Sequence, residues 1–412
     1  MSDTTSGCIV VGGGPAGMIA GLLLARAGVD TTVFEKHADF LRDFRGDTIH
    51  PSTQLLLDEL GLMDDFRRLP SSRLESARVP AADGTVATIA DFRRLRHPYP
   101  FIAIAPQWDF LDLLAAAGRS EPRFHLRMQT EVTGLVRRRG RITGVRFTDH
   151  VTGDGGEQEA LLTIAADGRS SRVRELAGLL VRELPVPFDV LWFRIPTTEP
   201  GDRGDVGRSL TPRGANGRLF ILIPRGDYVQ AGMLIPKGEE PALRSAGIES
   251  FRASVAAAVP ELAHAVALLR FEDVHGLDVR LNRARRWWAR GLLCIGDAAH
   301  AMSPVGGVGV NLAVQDGVAA ARLLAEPLRT GRMTDARVRA VQRRRALPTA
   351  ITQAAQGLAH RGLRRALAAR WTPLVPAPLA RLLRVAPWLS AIPARLIGTG
   401  VLPEHAPGFA RR

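Results

Sequence analysis

The residues Gly12-Gly13-Gly14-Pro15-Ala16-Gly17 follow the apolar run Cys8-Ile9-Val10-Val11 and open a second apolar run, Met18 to Ala27, that closes at Gly28. Glu35, followed by Lys36, stands just past a further apolar stretch, Thr31 to Phe34. Strand, tight glycine turn, helix, strand and terminal acid, in that order, is how a chain holds a dinucleotide. Gly12 permits the sharp turn, Gly14 lets the backbone approach a pyrophosphate, and Gly17 lets helix and strand pack closely. Pro15 and Ala16 begin the helix, whose free N–H groups and positive dipole end attract phosphate. Glu35 can accept hydrogen bonds from ribose hydroxyls.

Three more segments carry chemistry. Asp167-Gly168-Arg169-Ser170-Ser171-Arg172-Val173-Arg174 fits Asp-Gly-x-x-Ser-x-x-Arg, where Asp167 is either a ligand contact or the partner of Arg174 in a structural ion pair. Gly296-Asp297-Ala298-Ala299-His300 ends the apolar strand Gly291 to Ile295 and is followed by Pro304 and by Gly306-Gly307-Val308-Gly309-Val310-Asn311. Asp297 can bond a ribitol or ribose hydroxyl. Gly306, Gly307 and Gly309 lead into a helix from Val310 to Ala325, whose N-terminus would stabilise negative charge on a ring placed before it. Asn311 also reads as a cap. His300 reads as structural, since no partner acid is evident nearby. The third segment is Arg45-Gly46-Asp47-Thr48-Ile49-His50-Pro51-Ser52-Thr53.

Together these motifs resemble the single-component FAD-dependent aromatic hydroxylases, the group A or para-hydroxybenzoate hydroxylase-like monooxygenases, from about residue 7 to about residue 325. The resemblance implies FAD as cofactor, NADPH or NADH as a transient reductant, and oxygen transfer to an electron-rich ring through a flavin C4a-hydroperoxide. It places Arg45 at FAD phosphate or in gating of ring movement, and Gln107 at the start of a flavin-contacting helix, with Asp109 as an alternative cap. It puts the backbone N–H groups near Val310 and Asn311 at the reduced ring, makes Tyr228 either a residue of the substrate site or a cross-strand aromatic of the sheet, and counts Pro304 with Arg45 and Tyr228 as the catalytic candidates. Asp167 would serve both nucleotides. Only one fingerprint of the dinucleotide type is present, so the nicotinamide donor has no Rossmann domain of its own; Gly153 to Gly156 reads as a hairpin turn.

The elements that must position these residues define the expected fold: α/β, a discontinuous Rossmann-type FAD-binding domain with an inserted mixed-sheet substrate domain and a helical C-terminal extension. The FAD domain is expected over 1–72, 102–180 and 281–325, the substrate sheet over 73–101 and 182–280, and a helical basic region over 326–412. A helix is expected at Trp108–Gly118, strands at 130–138, 141–148 and 158–166, and a helix from Ile248 to Leu269. In the inserted part Val190 to Ile195, Arg218 to Pro224 and Tyr228 to Ile235 read as strands, the last two joined by Arg225-Gly226-Asp227. Leu219-Phe220-Ile221-Leu222-Ile223 offers no polar side chain to clamp a carboxylate, which points to an apolar, polycyclic or alkyl-bearing aromatic substrate. Trp192 and Arg194 share one face of their strand.

The chain has 412 residues and two cysteines, Cys8 and Cys294, each in a core strand. No disulfide framework, metal cluster, signal peptide or transmembrane stretch is read from it, and a cytoplasmic location is expected. The net charge of +14 is one-sided: residues 331–412 hold 15 Arg and no Lys against Asp335 and Glu404. That tail, with Trp371, Leu374, Leu382, Leu383, Trp388, Leu389 and Leu396, reads as an Arg-studded solvated face. Peripheral contact with an anionic membrane is the second reading. No nucleic-acid motif accompanies the charge. The alternatives to hydroxylation are a FAD-dependent epoxidase or a double-bond reductase of an isoprenoid or polyene, and a non-catalytic FAD-binding subunit. The natural substrate, the regiochemistry, the choice of nicotinamide and the catalytic base are not legible.

Overall fold

The computed structural model describes residues 6–41, 47–197, 209–225, 228–368 and 375–412. Arg45 and Gly46 of the Arg loop, Gly226 and Asp227 of the expected hairpin turn, and Trp371 and Leu374 of the tail lie outside the described residues.

Five parallel strands form the centre of the largest sheet, in the order Leu292–Cys294, Gly155–Ala165, Ser6–Val11, Thr31–Phe34, Phe124–Arg127. Thr130–Arg138 and Arg141–Asp149 extend antiparallel from Gly155–Ala165. The first strand is apolar from Cys8 to Val11, where both its faces are covered. Cys8 and Val10 pack with the helices Pro15–Arg26 and Gly309–Arg329, while Ile9 and Val11 pack with Val132, Leu135, Val145 and Trp287. The two helices meet at backbone contact: a Cβ on Gly317 would lie 2.7 Å from the Ala16 carbonyl oxygen. The helix after the Gly296-Asp297 segment and its glycine-rich turn therefore runs directly behind the first glycine turn.

A second, antiparallel sheet is ordered Arg213–Ala215, Arg218–Pro224, Tyr228–Pro236, Phe188–Pro196, His275–Leu277. Alternation assigns its faces. Phe220, Leu222, Leu191, Phe193 and Met233 pack under Phe251 and Val255 of the helix Ile248–Ala258. Ile221, Ile223, Trp192, Arg194 and Gln230 lie on the opposite face, as the pairings Ile221↔Gly232, Ile223↔Gln230, Trp192↔Gly232 and Arg194↔Gln230 require. This settles which face Trp192 and Arg194 share. The helix expected from Ile248 to Leu269 is not continuous. It stops at Ala258, and the chain continues through a 3-10 turn, Pro260–Leu262, and a short helix, Ala263–Val266. Pro260 drives Val259 out of helical conformation, to φ −135° and ψ 65°.

The fold class is the expected one: a Rossmann-type α/β domain, an inserted sheet and C-terminal helices. The tail, however, is more than a solvated face. The helix Asp335–Ala368 exposes Arg337, Arg339, Arg343, Arg361, Arg364 and Arg365 but buries a polar stripe of Arg345, Thr349, Thr352, Gln353, Gln356 and His360. Arg384 pairs with Asp83, Arg411 with Glu59 and Arg412 with Glu121, so part of the tail's charge is matched by acids elsewhere in the chain. Among the described residues, no helix is long and apolar enough to cross a membrane.

Candidate active site

The first glycine turn is built so that one glycine alone faces open space. Gly12 has φ +104°, and a Cβ there would sit 2.4 Å from the Ala166 carbonyl oxygen. A Cβ on Gly17 would sit 2.0 Å from the Gly12 carbonyl oxygen, so strand and helix touch through backbone. A Cβ on Gly14 would meet nothing within 4 Å. Gly14 is the N-cap of Pro15–Arg26, a position without a side chain to cap the first turn, and Pro15 and Ala16 follow it. Orphan N–H groups beside an open space fit a pyrophosphate. Glu35 is buried at the end of the second strand. Its Oε2 accepts the Gly13 N–H at 2.9 Å; its Oε1 accepts the His37 N–H at 3.1 Å and lies 2.6 Å from His37 Nδ1. The acid that would meet a ribose thus also fixes the glycine turn. Lys36 is exposed beside it.

Gly296 adjoins this turn: a Cβ on it would lie 3.0 Å from Ala16 Cβ and 3.4 Å from Ala313 Cβ. Asp297 is half-buried, with Arg169 at 3.8 Å. Asp167 takes the Ser171 hydroxyl at 2.5 Å and the Val173 N–H at 3.1 Å, which makes it a cap for Arg172–Leu176. Burial raises its carboxyl above the usual range, against those two hydrogen bonds. Arg174 donates to the carbonyls of Ala298 and Arg169 instead of bonding Asp167, so the expected ion pair is replaced by a brace between the Asp-Gly and Gly-Asp segments.

The glycine-rich turn after Pro304 is anchored from several sides. Pro304 precedes the 3-10 turn Val305–Gly307 and accepts the Gly307 N–H at 2.9 Å. Gly307, at φ +64°, offers its carbonyl oxygen to the Thr48 hydroxyl at 2.8 Å and to His50 Nε2 at 2.9 Å. The helix begins at Gly309, so Val310 and Asn311 lie in its first turn. Asn311 does not cap that helix; its Oδ1 accepts the hydroxyls of Ser52 and Thr53, both at 2.7 Å, tying the turn to the segment after the Arg loop. Gln356 reaches across from the long C-terminal helix. Its amide donates to the Ser303 and Val305 carbonyls at 2.8 and 2.9 Å and accepts the Ser303 N–H at 3.3 Å.

His300 has a partner acid after all. Its Nε2 lies 2.6 Å from Asp316 Oδ2, which also accepts the Gly296 N–H at 3.0 Å, while Arg345 Nε donates to Oδ1 at 2.9 Å. His300, Asp316 and Arg345 are all buried. Burial alone would raise the Asp316 carboxyl, but His300 and Arg345 bring it below its ordinary value. The sixteen-residue gap between His300 and Asp316 spans a turn and half a helix, so no short spacing could announce the pair.

On the substrate side, Ile221, Trp192 and Val305 share one hydrophobic cluster, and Ile223 clusters with Ile102, Ile104 and Ile397. The open sheet face therefore fronts the Pro304–Gly307 turn. Trp192 lies over Gly232, where a Cβ would come 2.7 Å from its ring, and its Nε1 is buried without a partner. Tyr228 is half-buried with the Arg194 guanidinium 5.0 Å from its ring centre. Gln230 is buried on the same face. One charged group was missed in the sequence. Arg225, just past the apolar strand, is buried and paired with Asp47, and Asp47 Oδ1 accepts the Gln107 N–H at 3.4 Å. Burial raises the Asp47 carboxyl, with Arg225 opposing. Asp47, not Asp109, thus receives the first N–H of the helix Gln107–Arg119. Both residues sit in segments that sequence reading treated as loop, which left them without a partner to suggest a role.

A glycine-lined dinucleotide cradle, a second acid motif against it and a helix aimed past a glycine turn define a nucleotide-cofactor oxidoreductase. Residues 5–355 match the family described as FAD binding domain, and the chain belongs to that family. The 6-methylpretetramide 4-monooxygenase of Streptomyces rimosus is 37% identical over 342 residues, covering 82% of this chain and 79% of that protein. PqsL, a probable FAD-dependent monooxygenase from Pseudomonas aeruginosa, superposes with a TM-score of 0.73 at 22% identity, over 89% of this chain and 98% of that one. The anhydrotetracycline hydroxylase OxyS from Streptomyces rimosus gives 0.72 at 23% identity, over 97% and 76%. These two show the shared fold. The protein is an FAD-dependent monooxygenase.

Proposed function

We propose that this enzyme hydroxylates an apolar, polycyclic phenolic molecule of the polyketide type, with NADPH or NADH as reductant. The overall reaction consumes O₂, NAD(P)H and a proton, converts one ring C–H into C–OH, and releases water and NAD(P)⁺. The observation that carries the substrate class is that Trp192, Ile221 and Ile223 on one sheet face cluster with Val305 of the glycine-rich turn and with Ile397, which supports an apolar ring system as substrate. The relative that acts on 6-methylpretetramide supports it. Residues 73–101 and 182–280 serve as the substrate-binding part and 1–72, 102–180 and 281–325 as the cofactor part.

Bound FAD supplies the redox chemistry and the activation of oxygen. Gly12, Gly14 and Gly17 with Pro15 and Ala16 form the pyrophosphate cradle, Glu35 and Asp297 meet hydroxyls, and the helix start at Val310 and Asn311 offers N–H groups to negative charge. The apolar face keeps water from the reacting ring. The Arg225–Asp47 pair, in contact with the start of the Gln107 helix, fixes the wall between the two parts. Arg45, Gln107, Pro304 and Tyr228 complete the site. The test is NAD(P)H oxidation stimulated by polycyclic phenols under ¹⁸O₂. Label in the product supports the proposal. Stimulated oxidation that leaves every product unlabelled refutes it, and reduction of a polyene double bond refutes it in favour of the reductase reading.

A further inference from the structure

The C-terminal segment lies past residue 355, where the family match stops. It nevertheless touches the His50–Ser52 segment directly and reaches the Gly296 and Gly307 turns through side chains of the cofactor domain and of the long helix. The Ile397 carbonyl oxygen lies 2.8 Å from His50 Nδ1, while His50 Nε2 faces the Gly307 carbonyl oxygen at 2.9 Å. Gly398 packs so closely that a Cβ would come 3.1 Å from Pro51 Cγ. The Leu402 carbonyl accepts from Arg345 at 3.4 Å, and Arg345 holds Asp316, which holds the Gly296 N–H. Glu404 is buried, 3.8 Å from Arg345, hydrogen-bonded to Arg344, and its N–H donates to Gln315 at 3.2 Å. Gln315 in turn donates to Ser52 at 3.2 Å, and Ser52 to Asn311.

We propose that residues 397–404 are a working part of the cofactor site, a strap whose position sets the Gly307 and Gly296 turns, with His50 and Arg345 as the positioning residues that transmit it. The chemistry of each is suited to this. A neutral imidazole has one N–H, and His50 stands between two carbonyl oxygens, so it donates to one and turns a lone pair toward the other, and a shift of the Ile397 carbonyl is passed through the rigid ring to Gly307. Arg345 is a fixed fork between the carboxylates of Asp316 and Glu404, and a planar guanidinium fixes direction as well as distance. Both chains end on backbone atoms of the two turns that close on the cofactor. Coupling of this kind is reciprocal: if the strap sets the cofactor turns, FAD must order the strap.

The inference rests on FAD binding alone and is independent of the substrate. The test is amide hydrogen exchange on the full chain, stripped of FAD and then reloaded with it. Exchange across 397–404 is expected to slow at least tenfold on FAD binding, while the outlying helix Ala377–Val385 changes little. No protection of 397–404, or equal protection of both segments, overturns the proposal. In addition, His50→Gln and Arg345→Gln, each with a native circular dichroism spectrum, are expected to raise the FAD dissociation constant at least tenfold in fluorescence titrations. Wild-type affinity in both folded variants also overturns it. If the variants do not fold, the exchange measurement on the unmodified chain decides.

Discussion

Replacing Gly14 by alanine separates cofactor binding from folding more cleanly than any other change at this site. Gly14 adopts φ −75° and ψ 178°, extended backbone open to any residue, and an added Cβ meets nothing within 4 Å. The apoprotein should therefore keep its fold with little net change in stability, the gain of about 0.4–1 kcal/mol from a narrower unfolded ensemble being offset by alanine's poorer fit at an N-cap. The methyl group instead fills the space a pyrophosphate would use. A phosphate oxygen bonded to the first-turn N–H groups must retreat, and loss of one charge-assisted hydrogen bond costs roughly 1.5–3 kcal/mol. That is about a tenfold to hundredfold weaker FAD dissociation constant. Gly17→Ala is the contrast: its Cβ would lie 2.0 Å from the Gly12 carbonyl oxygen, so the apoprotein itself should be destabilised. Urea unfolding of the apoproteins and fluorescence titration with FAD measure the two effects. A stable Gly14→Ala protein that binds FAD like the wild type would show that the pyrophosphate lies elsewhere, and the reasoning from the open cradle would fail.

Two further outcomes are expected. Burial lowers His50 to about 4, against the hydrogen bonds of Ile397 and Gly307. The unfolded chain therefore binds a proton more tightly, and the sign follows: no penalty above about pH 6.5, then a loss of stability as pH falls toward 4, of about 3 kcal/mol in full. His50→Gln should flatten that part of the urea-unfolding profile, and an unchanged slope between pH 7 and pH 4 would refute the assignment. The exposed row Leu379, Leu382, Val385, Trp388 and Ile392, with exposed Arg381 and Arg395 near it, supports peripheral contact with an anionic bilayer. The protein should sediment with phosphatidylserine vesicles and not with neutral ones, and Leu382→Glu with Trp388→Glu should abolish this; failure of the unmodified chain to sediment ends the idea.

The parts of the site legible in the sequence are those fixed by backbone geometry. Gly12, Gly14 and Gly17 have separate roles in the sequence because each role follows from the absence of a Cβ in a short contiguous stretch, and the contacts around the three glycines differ from one another. Gly296 and the helix after Gly307 were legible for the same reason. What could not be read was pairing across long separations. His300 looked isolated because its acid is on the next helix, and Arg225 and Asp47 are 178 residues apart.

The tail shows the limit in another form. The buried face of the helix Asp335–Ala368 carries Val338, Val341 and Leu363 only near its ends and polar residues between them, so the Arg-rich region 331–412 reads as a solvated face. Yet Arg345, Thr349, Thr352, Gln353, Gln356 and His360 recur at intervals of one, three or four residues, and that polar stripe is the buried one. It can be buried because its partners are carbonyls, amides and carboxylates of the cofactor turns: Gln353 on Asn282, Gln356 on Ser303 and Val305, Arg345 on Asp316. Buried polar groups cost little only when bonded. Two of those partners, Ser303 and Val305, lie in the irregular run before the helix Gly309–Arg329, where Gln356 takes up their backbone groups. A polar helix behind the site is thus a physical consequence of an irregular backbone in front of it.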